Sequence, residues 1–178
     1  MSRFLPVLLL PFALLSPVAQ AASAAVIDAE VNDALSDFRQ QVRGSTSLLA
    51  AAKGVLVFPK VYKAGIGIGG EYGEGALRID GSSVAYYSTA AASIGFQLGA
   101  QAKSLVVVFL DAEVLERFRR SAGWKVGVDG SIALIDLGVG KSVDTQNIKD
   151  PVVGFVFDQK GLMYNLTLEG AKFTRLAR

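Results

Sequence analysis

The sequence predicts an α+β domain made mostly of antiparallel sheet, barrel-like or sandwich-like, with an N-terminal amphipathic helix and a second helix near residues 111–121. Three observations carry this. Short apolar runs recur between Gly, Asp and Ser turns from residue 55 onward, the segment ahead of them has helical periodicity, and one later stretch regains it. At 178 residues the chain is long enough to bury a core without a metal or disulfide staple.

Taken in order, Ile27, Val31, Leu35, Phe38 and Val42 recur at steps of four, four, three and four, with Asp28, Glu30, Asp33, Asp37, Arg39 and Arg43 between them. That is an amphipathic helix, whose stripe either packs on its own domain or docks elsewhere. Ile27, Val31, Leu35 and Phe38 are the candidate membrane-facing residues. A short helix, Leu48 to Lys53, ends at Gly54. Strands are expected at Val55–Phe58, Ala76–Ile79, Val84–Ser88, Ser104–Leu110, Lys125–Val128, Ile132–Leu137, Val152–Phe157 and Leu162–Leu168. Leu105 to Leu110 is apolar without alternation, which predicts a central strand covered on both faces. Asp111 can cap the second helix, Val114, Leu115 and Phe118 give it an apolar face, and Gly123 can stop it.

The N-terminus reads as an export signal. Met1-Ser2-Arg3 is a basic start, Phe4 to Val18 is apolar but broken by Pro6, Pro11 and Pro17, and Ala19-Gln20-Ala21 is a cleavage signal. We expect residues 1–21 to be removed and 22–178 to form one domain, periplasmic or secreted and possible to find at a membrane periphery. Export permits disulfides, yet the chain has 0 Cys, which also excludes a thioether lipid anchor. The net charge of +2, or +1 once Arg3 is removed, is no nucleic-acid footprint.

Glycine supplies the most distinctive motif. Gly65, Gly67 and Gly70 spell G-x-G-x-x-G, but a dinucleotide loop must open a helix, and Glu71-Tyr72-Gly73-Glu74-Gly75 does not. No nucleotide is expected; a glycine-rich strand or hairpin, open to close approach by another backbone or a ligand, is the better reading. Gly138-Val139-Gly140-Lys141-Ser142 ends like a phosphate loop, but position 135 is Ile where that motif needs glycine. Asn165-Leu166-Thr167 matches a glycosylation sequon and is discounted because it falls in an expected strand. With 0 His and 0 Cys there is no imidazole base, thiolate nucleophile, or imidazole or thiolate metal site. Glu71 and Glu74 are the close acidic pair an enzyme could use, and the plainer reading is a solvated turn. No enzyme, cofactor or metal is expected.

A second small-residue stretch runs from Ser88 to Ala102. On a strand from Ile94, Phe96 and Leu98 share one side while Gly95, Gln97, Gly99 and Gln101 share the other, a face of little bulk that packs close to a neighbour or borders a cavity.

Five ordered blocks carry a family resemblance: Ala52-Lys-Gly-Val-Leu-Val-Phe-Pro-Lys60, Ala64-Gly-Ile-Gly-Ile-Gly-Gly70, Gly95-Phe-Gln-Leu-Gly-Ala-Gln101, Gly123-Trp-Lys-Val-Gly-Val-Asp-Gly130 and Lys160-Gly-Leu-Met-Tyr-Asn-Leu-Thr-Leu-Glu-Gly170. From about residue 30 to the C-terminus the chain resembles the SYLF domain family in its exported bacterial branch. The resemblance implies a lipid-binding domain rather than a known enzyme. Eukaryotic members bind phosphoinositides and associate with actin and endocytic membranes, and bacterial members are envelope proteins tied to phospholipid. An amphipathic helix at the start of the domain serves the eukaryotic members at membranes; here the charged face of the comparable helix is mostly acidic, a departure from anionic-lipid binding.

The expected function is noncovalent binding of phospholipid or a membrane surface, with Lys60 and Lys63 at the head group and Gly67, Phe96 and Gly99 beside an apolar site. The rival is a structural or protein-interaction module of the envelope, with a protein partner held by sheet edges or the helix stripe.

Overall fold

The computed structural model describes residues 22–136, 148–161, 168 and 170–178, with side chains described for all of these except 93–98 and 161. Helix α1, Ala24–Gln41, starts where Ser23 Oγ accepts from Val26 N at 3.4 Å. A short α2, Ser45–Ala51, follows Gly44, whose φ of 84° suits glycine at the corner between the helices.

Two long strands then form the scaffold. Strand β1, Gly54–Ile79, turns at Asp80-Gly81 into β2, Ser82–Phe109, and the two pair antiparallel from Gly54 opposite Phe109 to Ile79 opposite Ser82. Both turn residues have positive φ, 50° and 79°, as a two-residue hairpin with the twist of its strands requires. The sequence reading divides this hairpin into four shorter strands; the structure joins them, because glycine in extended backbone bends a strand without ending it.

Helix α3, Ala112–Arg120, is capped as expected, Asp111 Oδ1 accepting from Val114 N at 2.9 Å, and closes at Ser121. Strands β3, Gly123–Lys125, β4, Ala133–Asp136, β5, Val152–Gly161, and β6, Lys172–Leu176, complete a sheet of order β3-β6-β2-β5-β4, with β1 on the other edge of β2. All pairings are antiparallel except β4 with β5. The result is α+β, a curled half-barrel dominated by antiparallel strands. Strand β6 lacks an apolar run; only Phe173 in it is fully buried, and it earns its place by pairing with both β2 and β3. The stretch from Leu162 to Thr167, Leu137, the Gly138–Ser142 motif and the Asn165 sequon lie outside the described residues.

The end of β2 is central. Leu105, Val107 and Phe109 face the concave side with Leu56, Phe58, Leu77, Phe118, Trp124 and Phe173, while Val106 and Val108 face the convex side. There α1 covers them: Ile27, Val31, Leu35 and Phe38 are buried, with the Phe38 ring 5.1 Å from that of Phe155. This corrects the expectation of a membrane-facing stripe. A valine-rich convex face needs a cover, and the helix stripe supplies it.

Candidate functional site in the bent ribbon

Beyond the core, the β1–β2 ribbon folds back on itself. Between Ile66 opposite Leu98 and Ile68 opposite Ile94, one residue of β1 faces three of β2, so β2 takes the longer path around a bend. Gly67, with φ 72°, stands at its apex with nothing within 4 Å of where a Cβ would be. A Cβ at Gly65 would meet the backbone of Ile68 and Gly69. The two arms then touch. A Cβ on Gly73 would lie 2.6 Å from the carbonyl oxygen of Lys60, and one on Gly75 would collide with that of Val57. The glycine run therefore serves close approach by the chain's own backbone, one of the two roles expected of it.

Side chains alternate across the bend. Facing inward are Lys63, Glu71, Gln101 and Lys103, all buried, with Thr89 opposite Gly73. Lys103 Nζ donates to Glu71 Oε2 at 2.9 Å across the gap between the arms. Both groups are nearly solvent-free, so each depends on the other for its charge to be tolerated.

Facing outward are Tyr62, Ala64, Ile66, Ile68, Gly70 and Tyr72 of β1, with Ala90, Ala92, Ala100 and Ala102 of β2 opposite. Tyr62 is 59% exposed, Ile66 80%, Ile68 71% and Tyr72 50%. No charged side chain stands among these ribbon positions, but the neighbouring strands bring two exposed lysines to the flanks of this face on the same side, Lys160 opposite Ala102 and Lys172 opposite Ala90. Ion pairs bound it: Lys60 with Glu30 at 2.5 Å on one arm, and on the other Glu74 with both guanidinium nitrogens of Arg178 at 2.9 Å.

The expected site residues do not all converge. Lys60 is exposed on the outer side and Lys63 is buried on the inner side, so the two lysines form no joint head-group site. This is a correction with a simple cause: three residues apart on a strand means opposite faces. Gly67 is at the apex and Gly99 opposite Gly65 just beside it; Phe96 is within β2 but its side chain lies outside the described set. Glu71 and Glu74 likewise face opposite ways, each ion-paired, and so are neither a carboxylate pair nor a solvated turn. The sequence reading missed Tyr62, Ile66, Ile68 and Tyr72, although their even spacing within each arm was a signal of a shared face.

Electrostatics follow the contacts. The hydrogen bond to Glu30 holds the Lys60 ammonium above the usual lysine range, although partial burial works the other way. Burial and then the hydrogen bond to Glu74, 2.8 Å long, raise Tyr72. Burial alone would raise Glu74, but hydrogen bonds from Arg178 and Tyr72 outweigh it and leave the carboxyl below its usual range. Beside Lys60 and Tyr62, a groove of about 350 Å³ runs between α1 and the ribbon, its walls including Glu30, Asp33, Asp37 and Lys160.

The site is thus an apolar outer ribbon face beside a groove walled by carboxylates and lysines, on a half-barrel dominated by antiparallel strands. Residues 90–177 match the family model described as Ysc84, Las17-binding protein actin regulator. The match covers a little under half of the chain and agrees with the SYLF resemblance read from the sequence. No curated protein matches the chain.

Proposed function

We propose that this chain is an exported envelope protein that binds phospholipid at a membrane surface noncovalently and catalyses no reaction. The family whose model residues 90–177 match is one of lipid- and actin-related binding domains, and an exported chain would meet lipid. The observation that carries the reading is the closure of the ribbon. Gly73 and Gly75 bring the arms into backbone contact and the Lys103–Glu71 bridge spans what remains, so the described interior of the bend offers an acyl chain no channel. Lipid is then met from outside, at a surface.

The test is sedimentation of the purified protein with phospholipid vesicles, with organic extraction and mass spectrometry of the protein before vesicles are added. Sedimentation without stoichiometric co-purified lipid is the expected result. Lipid held in fixed ratio would replace surface binding with an internal site. Neither sedimentation nor bound lipid would sink the lipid reading in favour of an envelope protein partner, the reading closest to the family's description as a Las17-binding protein.

A further inference from the structure

Resting on that reading, we propose that the outer face of the bend, Tyr62, Ile66, Ile68 and Tyr72, is the surface that enters the bilayer, and that it does so without requiring anionic lipid. The first ground is an inversion. In a sheet with one wet face, apolar residues point to the core and polar ones to water. Here Lys63, Glu71, Gln101 and Lys103 point in, and tyrosine, isoleucine and alanine point out. Apolar-out, polar-in alternation is the pattern of strands that face lipid.

The second ground is the grading of chemistry away from the apex. Isoleucines flank Gly67 where the ribbon turns, tyrosines stand farther down each arm, and the Lys60–Glu30 and Glu74–Arg178 pairs follow. Hydrocarbon, then amphipathic rings at the head-group level, then charge is the order met on crossing a membrane interface. The apex is also convex and free: no described atom lies within 4 Å of a Cβ position at Gly67.

Area and charge select the occupant. Four partly exposed side chains on a narrow ribbon present less than the roughly 800 Å² per partner that a stable protein interface buries, which disfavours a second copy. A bilayer has no such requirement, since each inserted apolar side chain contributes separately. The bounding ion pairs are each neutral, the adjoining groove sets the carboxylates of Glu30, Asp33, Asp37 and Asp158 against the ammonium groups of Lys60, Lys103 and Lys160, and Lys172 flanks the other arm, so the rim is of mixed sign. Such a rim complements a zwitterionic surface better than an anionic one.

The chain's 0 Cys makes the experiment direct. A polarity-sensitive dye is attached to Ile68→Cys, and separately to Val84→Cys, an exposed position beside the Asp80-Gly81 turn and ten residues along β2 from Ile94, the partner of Ile68. Each is mixed with vesicles of phosphatidylcholine and phosphatidylethanolamine, with and without phosphatidylglycerol, at low and high salt. We expect a blue shift at position 68 and none at 84, about equal with and without phosphatidylglycerol and insensitive to salt. The double substitution Ile66→Asp with Ile68→Asp should lower vesicle partitioning about tenfold or more while leaving the thermal transition in place. Vesicle binding with no shift at 68, or with the double variant unaffected, would overturn docking through the bend and leave the membrane reading standing. Binding only when phosphatidylglycerol is present overturns the lipid preference. No binding by the unsubstituted protein fails the parent reading itself, and a shift that grows with protein concentration without vesicles identifies a second copy as the occupant.

Discussion

The same two strands behave in opposite ways at their base and at their bend. At the base, inward Leu56, Phe58, Leu105 and Val107 and outward Val55, Val57, Val106 and Val108 are all apolar, and each face has its cover. At the bend the inward positions carry charge and the outward ones are apolar and exposed. Cover makes the difference. Where α1 lies over the convex side, apolar outward residues are core; where the ribbon runs past the helix, the same alternation leaves them facing outside the protein. Polarity of a strand face is thus set by what the fold lays over it, and the bend keeps a core-like exterior after the cover has ended.

The largest expected effect breaks the bend itself. Gly75→Val places a side chain against the Val57 carbonyl, where backbone must move, and we expect a loss above about 4 kcal/mol by chemical denaturation or failure to recover folded protein. Glu71→Ala leaves Lys103 buried without its carboxylate, at a cost of about 3–5 kcal/mol. The double variant Glu71→Leu with Lys103→Met should regain most of that; if it is no more stable than Glu71→Ala, the inward charges do more than balance each other.

Smaller effects sharpen the contrast at the rim. Glu74 has a depressed carboxyl pKa in the folded protein, so its contribution is complete above the unfolded-state value and is lost as pH falls through the folded one. Arg178→Ala should therefore reduce stability near neutral pH by up to about 1 kcal/mol, and the difference from the parent should vanish in the acid range. An undiminished difference there would show that Arg178 acts by packing. Smallest of all, Ile68→Ser should change stability by no more than about 0.5 kcal/mol, because an exposed isoleucine makes few contacts to lose. A Tm as low as that of Glu71→Ala would mean that the outer face is covered in the free protein.

Local patterns carried the helices. Steps of three and four set α1, Asp111 set the start of α3, and unbroken valine and leucine marked the central end of β2, because each depends on neighbours within a few residues. The bend depends on contacts between the arms, Gly73 with Lys60 and Glu71 with Lys103, and no short window contains them. The alternation of Tyr62, Ala64 and Ile66 was present to be read. It was obscured by the glycines between, which fit turn and strand alike. Lys60 and Lys63 were paired by proximity along the chain, whereas an extended backbone separates residues at odd spacing.

The two-residue turn at Asp80-Gly81 also has a kinetic consequence. It lets β1 and β2 begin pairing between immediate sequence neighbours, while the last pair, Gly54 with Phe109, must close the whole length of the ribbon. Because loop closure is least costly next to the turn, pairing that starts there would pass through the bend before the base is sealed. On that route Ile66 and Ile68 would face solvent from the time the bend forms through to the native state, where they are exposed, and an adhesive strip would have to be kept from self-association meanwhile.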